Sequence, residues 1–136
     1  MNGLTVNELA AEKILGWCGK ALVKHILDLA YIARALHEQV DKNRVAELVE
    51  AKFRDEAGAF RYRSAGIRST RDVASTFLGD SKREFLHGDW RRFASEELFL
   101  LPGEEGRSDD GSLTTSENIE RLAREFWQET LDLLAG

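Results

Sequence analysis

Residues 12–32 read EKILGWCGKALVKHILDLAYI. In this stretch Ile14, Trp17, Cys18, Leu22, Val23, Ile26, Leu29 and Ala30 recur three and four positions apart. That is the period of an α-helix, not the alternation of a strand. Gly16 and Gly19 mark where one helix gives way to the next. Within the same run Lys20, Lys24 and Asp28 stand every fourth position, so two cations and an anion share one line of a helix surface. A helix that has a core to build leaves such a line to solvent or to a charged ligand.

Working outward, the same period recurs on both sides. Thr5 and Glu8 fit a capping box, which predicts a first helix carrying Val6, Ala10, Ile14, Trp17 and Cys18 inward and ending near Gly16 or Gly19. A second helix is predicted from about 21 to 40, and a third after Asp41 or Asn43, with Val45, Leu48, Val49 and Phe53 on one face. Residues 59–72, AFRYRSAGIRSTRD, are basic and irregular. Short helices follow at about 72–78 and 81–99. Residues 101–118, LPGEEGRSDDGSLTTSEN, hold the only proline, three glycines and a run of acids, and read as an acidic loop. Thr114 with Glu117 reads as a second capping box. Beyond it Ile119, Leu122, Ala123, Phe126, Trp127, Leu131 and Leu134 form one apolar stripe. The fold class is all-α, a bundle of five or six helices in a single domain over 1–136.

The totals set outer bounds. A chain of 136 residues with 43% apolar content buries a core of its own. One cysteine, Cys18, excludes an internal disulfide, and His25, His37 and His87 show no metal-ligand spacing; no metal ligand set is assigned. No apolar run is long enough to span a membrane. The first residues, MNGLTVNELAAEK, lack the basic and oily regions of a signal peptide, so the expected location is the cytoplasm. The net charge of −5 is unevenly spread, with nine acids and three bases in 101–136 and eight bases against four acids in 61–92. A basic middle suits a phosphate-bearing partner. Arg61, Arg63, Arg68 and Arg71, interleaved with Phe60 and Tyr62, are candidate RNA contacts, cations on the backbone and rings under bases. The alternative is that they pair with acids of their own fold. Trp17, Trp90 and Trp127 read as core aromatics and Cys18 as a small buried hydrophobe.

The candidate site is the charged line. A nucleoside triphosphate needs several cations on its phosphates and a carboxylate for a metal or a hydroxyl. Lys13, Lys20, Lys24 and Asp28 offer that set, against the plainer reading of a solvated helix face. The run ELAAEKILGWCGKALVKHILDLAYIARAL resembles the second conserved half of the AbiEii/AbiGii nucleotidyltransferase toxins of toxin–antitoxin and abortive-infection systems. Glu12-Lys13 matches an acidic-Lys pair opening one helix, Lys20 the basic residue that follows, and Lys24 through Leu29 the Arg/Lys-Asp-x-x-Asp-Leu element. KREFLHGDWRRFASE is similar to a Trp-x-x-Phe segment near the family's C-terminus. The resemblance covers 8–53 well and 82–96 loosely.

This resemblance implies nucleotide transfer from a triphosphate with Mg²⁺, in some members onto tRNA, with Asp28 and Lys13 in catalytic places and Lys20 and Lys24 on phosphates. A cognate antitoxin and an RNA are the implied partners. Two departures stand against it. His25 occupies the place of the family's earlier Asp, and an imidazole is no substitute for a hard carboxylate ligand. The family's Gly-Ser turn followed by Asp-x-Asp on a strand, which holds two metal ions on the catalytic palm, is missing from this sequence. The expectation is therefore the helical C-terminal lobe of such a toxin, inactive alone: a fragment, the second product of a split gene with a palm-bearing partner chain, or a decayed copy. The other reading is a catalytically silent helical module that binds RNA or a protein.

Overall fold

The computed structural model describes residues 5–20, 23–55, 66–77, 79–97 and 115–136, without the side chains of Lys20 and 94–97. They form six α-helices and one 3-10 turn, with no strand among the described residues. These are α1 (Val6–Lys20), α2 (Val23–Ala35), the turn His37–Gln39, α3 (Lys42–Arg54), α4 (Thr70–Phe77), α5 (Asp80–Glu97) and α6 (Ser116–Ala135).

Each start is dictated locally. Thr5 Oγ1 accepts from the Glu8 amide at 3.1 Å while Glu8 Oε1 accepts from the Thr5 amide at 3.2 Å, the reciprocal capping box expected. Asp41 caps α3 by accepting from the Arg44 amide. At α6 the capping residue is Thr115, which accepts from the Asn118 amide, rather than Thr114, which lies outside the described residues.

The second helix is shorter than its sequence period predicts. It ends at Ala35, and His37–Gln39 turn with i→i+3 hydrogen bonds into extended Val40 and Asp41. The reason lies at Asp41. Its amide donates to Asn7 Oδ1 at 2.8 Å, tying the turn to the first turn of α1, and an N-cap residue needs non-helical dihedrals. Uninterrupted helix through Val40 would break both.

A single core joins the helices. α2 lies at its centre, with Val23, Ile26, Leu27, Leu29, Ala30, Ile32 and Ala33 buried. α1 packs against α2 and α3, and α6 closes the bundle over α2, α3 and α4. Trp17 and Trp127 are fully buried, and each satisfies its indole N–H on a carbonyl: Trp17 on Phe77 at 2.7 Å, Trp127 on Leu29 at 3.1 Å. Trp90 is also in the core, as expected. So little of α2 remains in solvent that its outer edge, carrying Lys24, Asp28 and Tyr31, is well defined.

Candidate nucleotide-phosphate site

Lys24 and Asp28 of the charged line lie on that outer edge, whereas Lys20 is the last residue of α1, so the expectation of one helix line through all three is corrected. α1 and α2 run against each other, so the middle of one meets the middle of the other. Lys13 Nζ lies 2.9 Å from Asp28 Oδ2, with the two side chains 20% and 35% exposed. Lys24 stands one turn before Asp28 and is exposed. Tyr31, 40% exposed, continues the same face. The fold thus brings Lys13 of one helix to the Lys24–Asp28 edge of the next. Lys20 closes α1, and its side chain is outside the described residues.

His25 does not belong to that edge. Its imidazole lies over Gly16 of α1, so closely that a Cβ there would stand 3.1 Å from Nε2. The glycine gives the ring its place between the helices. The position is therefore an interhelical contact, and an Asp there would stand between two helices rather than on the Lys24–Asp28 edge. Asp28 already has one oxygen on Lys13, and no three of His, Cys, Asp and Glu among the described residues come together to hold a metal. The described residues suit phosphate oxygens, which seek cations, and do not fit a pair of divalent ions.

The basic middle divides. Arg61 and Arg63 lie outside the described residues. Arg68 donates its backbone amide to Asp72 Oδ2 at 2.8 Å, part of the turn that opens α4. Arg71 Nε donates to the Ala135 carbonyl at 3.3 Å, at the end of α6, where a cation also meets the negative pole of the helix. His37 is exposed on the 3-10 turn.

With the Lys13–Asp28 edge in place, comparison with known families is informative. A family model described as nucleotidyl transferase AbiEii toxin of a type IV toxin–antitoxin system matches residues 1–124. The chain belongs to the AbiEii family. The match runs well beyond the motif stretch of α1 to α3 and takes in the basic middle, α4, α5 and the first turns of α6. No curated protein and no solved structure matches the chain.

This AbiEii chain carries a second polar cluster that its sequence did not suggest. His87 on α5 places Nδ1 2.7 Å from Ser116 Oγ and Nε2 2.7 Å from Glu120 Oε1, both on α6. Glu120 Oε2 also meets Arg83 Nε at 3.0 Å and the Arg124 guanidinium. Burial pushes the Glu120 carboxyl up, but hydrogen bonds from His87 and Arg124 and the charges of Arg83 and Arg124 outweigh it, leaving its pKa below the usual 4.5. With Glu120 ionised, Nε2 carries a proton and donates to it. The set has the residue types of a hydrolytic triad, yet Ser116 is buried and the carboxylate is already shared by two guanidiniums. It acts as a clamp between α5 and α6. Only three-dimensional proximity reveals it, because His87 is 29 and 33 residues from its partners.

Proposed function

We propose that this chain is the helical portion of a nucleotidyltransferase toxin, contributing the contacts to the phosphates of a nucleoside triphosphate. The observation that supports it is the junction of Lys13 with the Lys24–Asp28 edge, cations from two helices gathered beside one carboxylate. In this reading Lys13, Lys20 and Lys24 hold phosphate oxygens, and Asp28 orients Lys13 until the triphosphate arrives. The α-phosphorus is attacked by an acceptor hydroxyl and pyrophosphate leaves. Mg²⁺, which supplies charge neutralisation in such transfers, is assigned to a palm-bearing partner chain, since the described residues here do not form a site for it.

The chain alone is accordingly inactive, its working place is the cytoplasm, and an antitoxin and tRNA or another RNA are its further partners. No helix among the described residues is long and apolar enough to cross a membrane. Arg71, committed to the Ala135 carbonyl, weakens the case for a basic RNA grip built from all four arginines of the middle segment.

Two measurements test the reading. Labelled nucleoside triphosphates, Mg²⁺ and total tRNA incubated with the chain should yield no labelled RNA; strong labelling that depends on the chain would overturn the division of labour. Titration of ATP, GTP, CTP and UTP should show binding that Lys13→Gln and Lys24→Gln each weaken. Absence of binding by the wild type would leave the silent helical module as the function.

A further inference from the structure

Around Tyr31 the neighbours Leu27, Leu29, Ala30, Ile32 and Ala33 are all buried, yet Tyr31 itself is exposed. It shares the outer edge of α2 with Lys24 and Asp28. Seven residues carry an α-helix through almost two full turns, so Lys24 and Tyr31 leave the axis within about 20° of one direction and stand about 10.5 Å apart along it. Asp28 lies between them. A long side chain on a helix leans toward the N-terminus, over the residues three and four before it, which for Tyr31 are Asp28 and Leu27.

The two ends of this row are uncommitted. Lys24 has no ion-pair partner among the described residues, and Tyr31 makes no hydrogen bond or ring contact among them. Between them Asp28 already has Oδ2 on Lys13 at 2.9 Å. The other two large apolar side chains exposed among the described residues differ from Tyr31. Phe85 has its ring against Trp17, with 6.1 Å between centroids, and Leu133 is aliphatic and lies on α6. A free cation suits a phosphate, and an open π-face suits a base. Here the two are held two helical turns apart on one line, a span that a nucleoside triphosphate bridges.

We propose that Tyr31 is the platform for the base of the triphosphate, and that it makes this edge select nucleotides over inorganic polyphosphate. The proposal deepens the reading that Lys13 and Lys24 hold nucleotide phosphates, and rests on it. The ligand lies along the row, with its phosphates at Lys24 and Lys13, its sugar over the turn of Asp28 and its base on the phenol ring. Stacking uses the π-face that every base has, so Tyr31 adds affinity without choosing one base.

The test uses the whole chain with ATP, UTP and inorganic tripolyphosphate as probes, read by calorimetry. Tripolyphosphate carries the phosphates without a base. Tyr31→Ala should weaken ATP and UTP at least about five-fold, the lower end of base–aromatic stacking, and leave tripolyphosphate unchanged. Tyr31→Phe and Tyr31→Trp should retain nucleotide binding, while Lys24→Gln should weaken all three probes. If Lys24→Gln impairs binding but Tyr31→Ala matches the wild type on both nucleotides, the base platform is overturned and the phosphate edge stands. Equal weakening of nucleotides and tripolyphosphate by Tyr31→Ala also overturns the platform. If the wild type binds none of the probes, both fall. Unfolding curves that superimpose on the wild type's establish that each variant is folded.

Discussion

The Lys13 ammonium rests 2.9 Å from the Asp28 carboxylate, joining the middle of α1 to the middle of α2 at a place water still reaches. Solvent screens such a pair, so its contribution to stability is small. Lys13→Gln and Asp28→Asn should each change the unfolding free energy by less than about 1 kcal/mol in urea titrations. Their effects on triphosphate binding should have opposite signs. Lys13→Gln removes a phosphate contact, whereas Asp28→Asn releases Lys13 from its internal anion and should tighten binding. Parallel losses in both variants would count against Lys13 as a phosphate ligand.

Gly16 and Gly88 both lie inside helices, where Ala is ordinarily favoured by about 0.5–1 kcal/mol. A Cβ at Gly88 meets nothing within 4 Å, so Gly88→Ala should stabilise the fold by about that amount. A Cβ at Gly16 would crowd the His25 ring at 3.1 Å, so Gly16→Ala should gain nothing or lose. Thermal unfolding of the two variants side by side checks this; equal gains would mean that the ring is not seated on Gly16.

Glu120 makes part of the stability depend on pH. Its folded pKa is depressed, so its contribution is present above the unfolded value near 4.5 and fades as pH falls through the lower folded value. Glu120→Gln should cost about 1–3 kcal/mol near neutrality, because His87, Arg83 and Arg124 lose their charged partner. The gap between wild type and variant should narrow as the pH falls below about 4.5. Urea unfolding at a series of pH values measures it, and a gap independent of pH would show that the carboxylate charge is not what the clamp uses.

Cys18 should be inert in the folded protein. Burial pushes its thiol up to about 12, and its Sγ lies 3.5 Å from the Val73 carbonyl. The thiolate is the reactive form, so an aromatic disulfide reagent at neutral pH should label Cys18 only as fast as the chain opens. Labelling in urea should be immediate. Rapid labelling of the native protein would mean that the α1–α4 contact is open.

Local chemistry was legible in the sequence where the deciding residues are neighbours. Thr5 with Glu8, Asp41 before α3, the apolar stripe of α6 and the buried tryptophans all follow from spacings of three and four. The helical class followed from the same period. The end of α2 was not legible, because it is decided by Asn7, far away in sequence, holding the Asp41 amide. The start of α6 was missed by one residue, since Thr114 and Thr115 are chemically identical candidates and only backbone geometry chooses. At the site, Lys24 and Asp28 were foreseen as one face of α2. The seat of His25 on Gly16 and the His87–Glu120 clamp depend on tertiary packing that no spacing encodes.

The last helix has a consequence for the timing of synthesis. Trp127 donates its indole N–H to Leu29 across 98 positions, and α6 covers the apolar faces of α2, α3 and α4. A ribosome adding about 5–20 residues per second needs on the order of ten seconds to travel from the end of α3 to the end of α6. Until α6 is made, Leu29, Ala30, Val45 and Val49 of the earlier helices lack the cover that it provides. Apolar surface exposed in this way is what makes an incomplete chain prone to aggregate, and docking of α6 is the step that removes it.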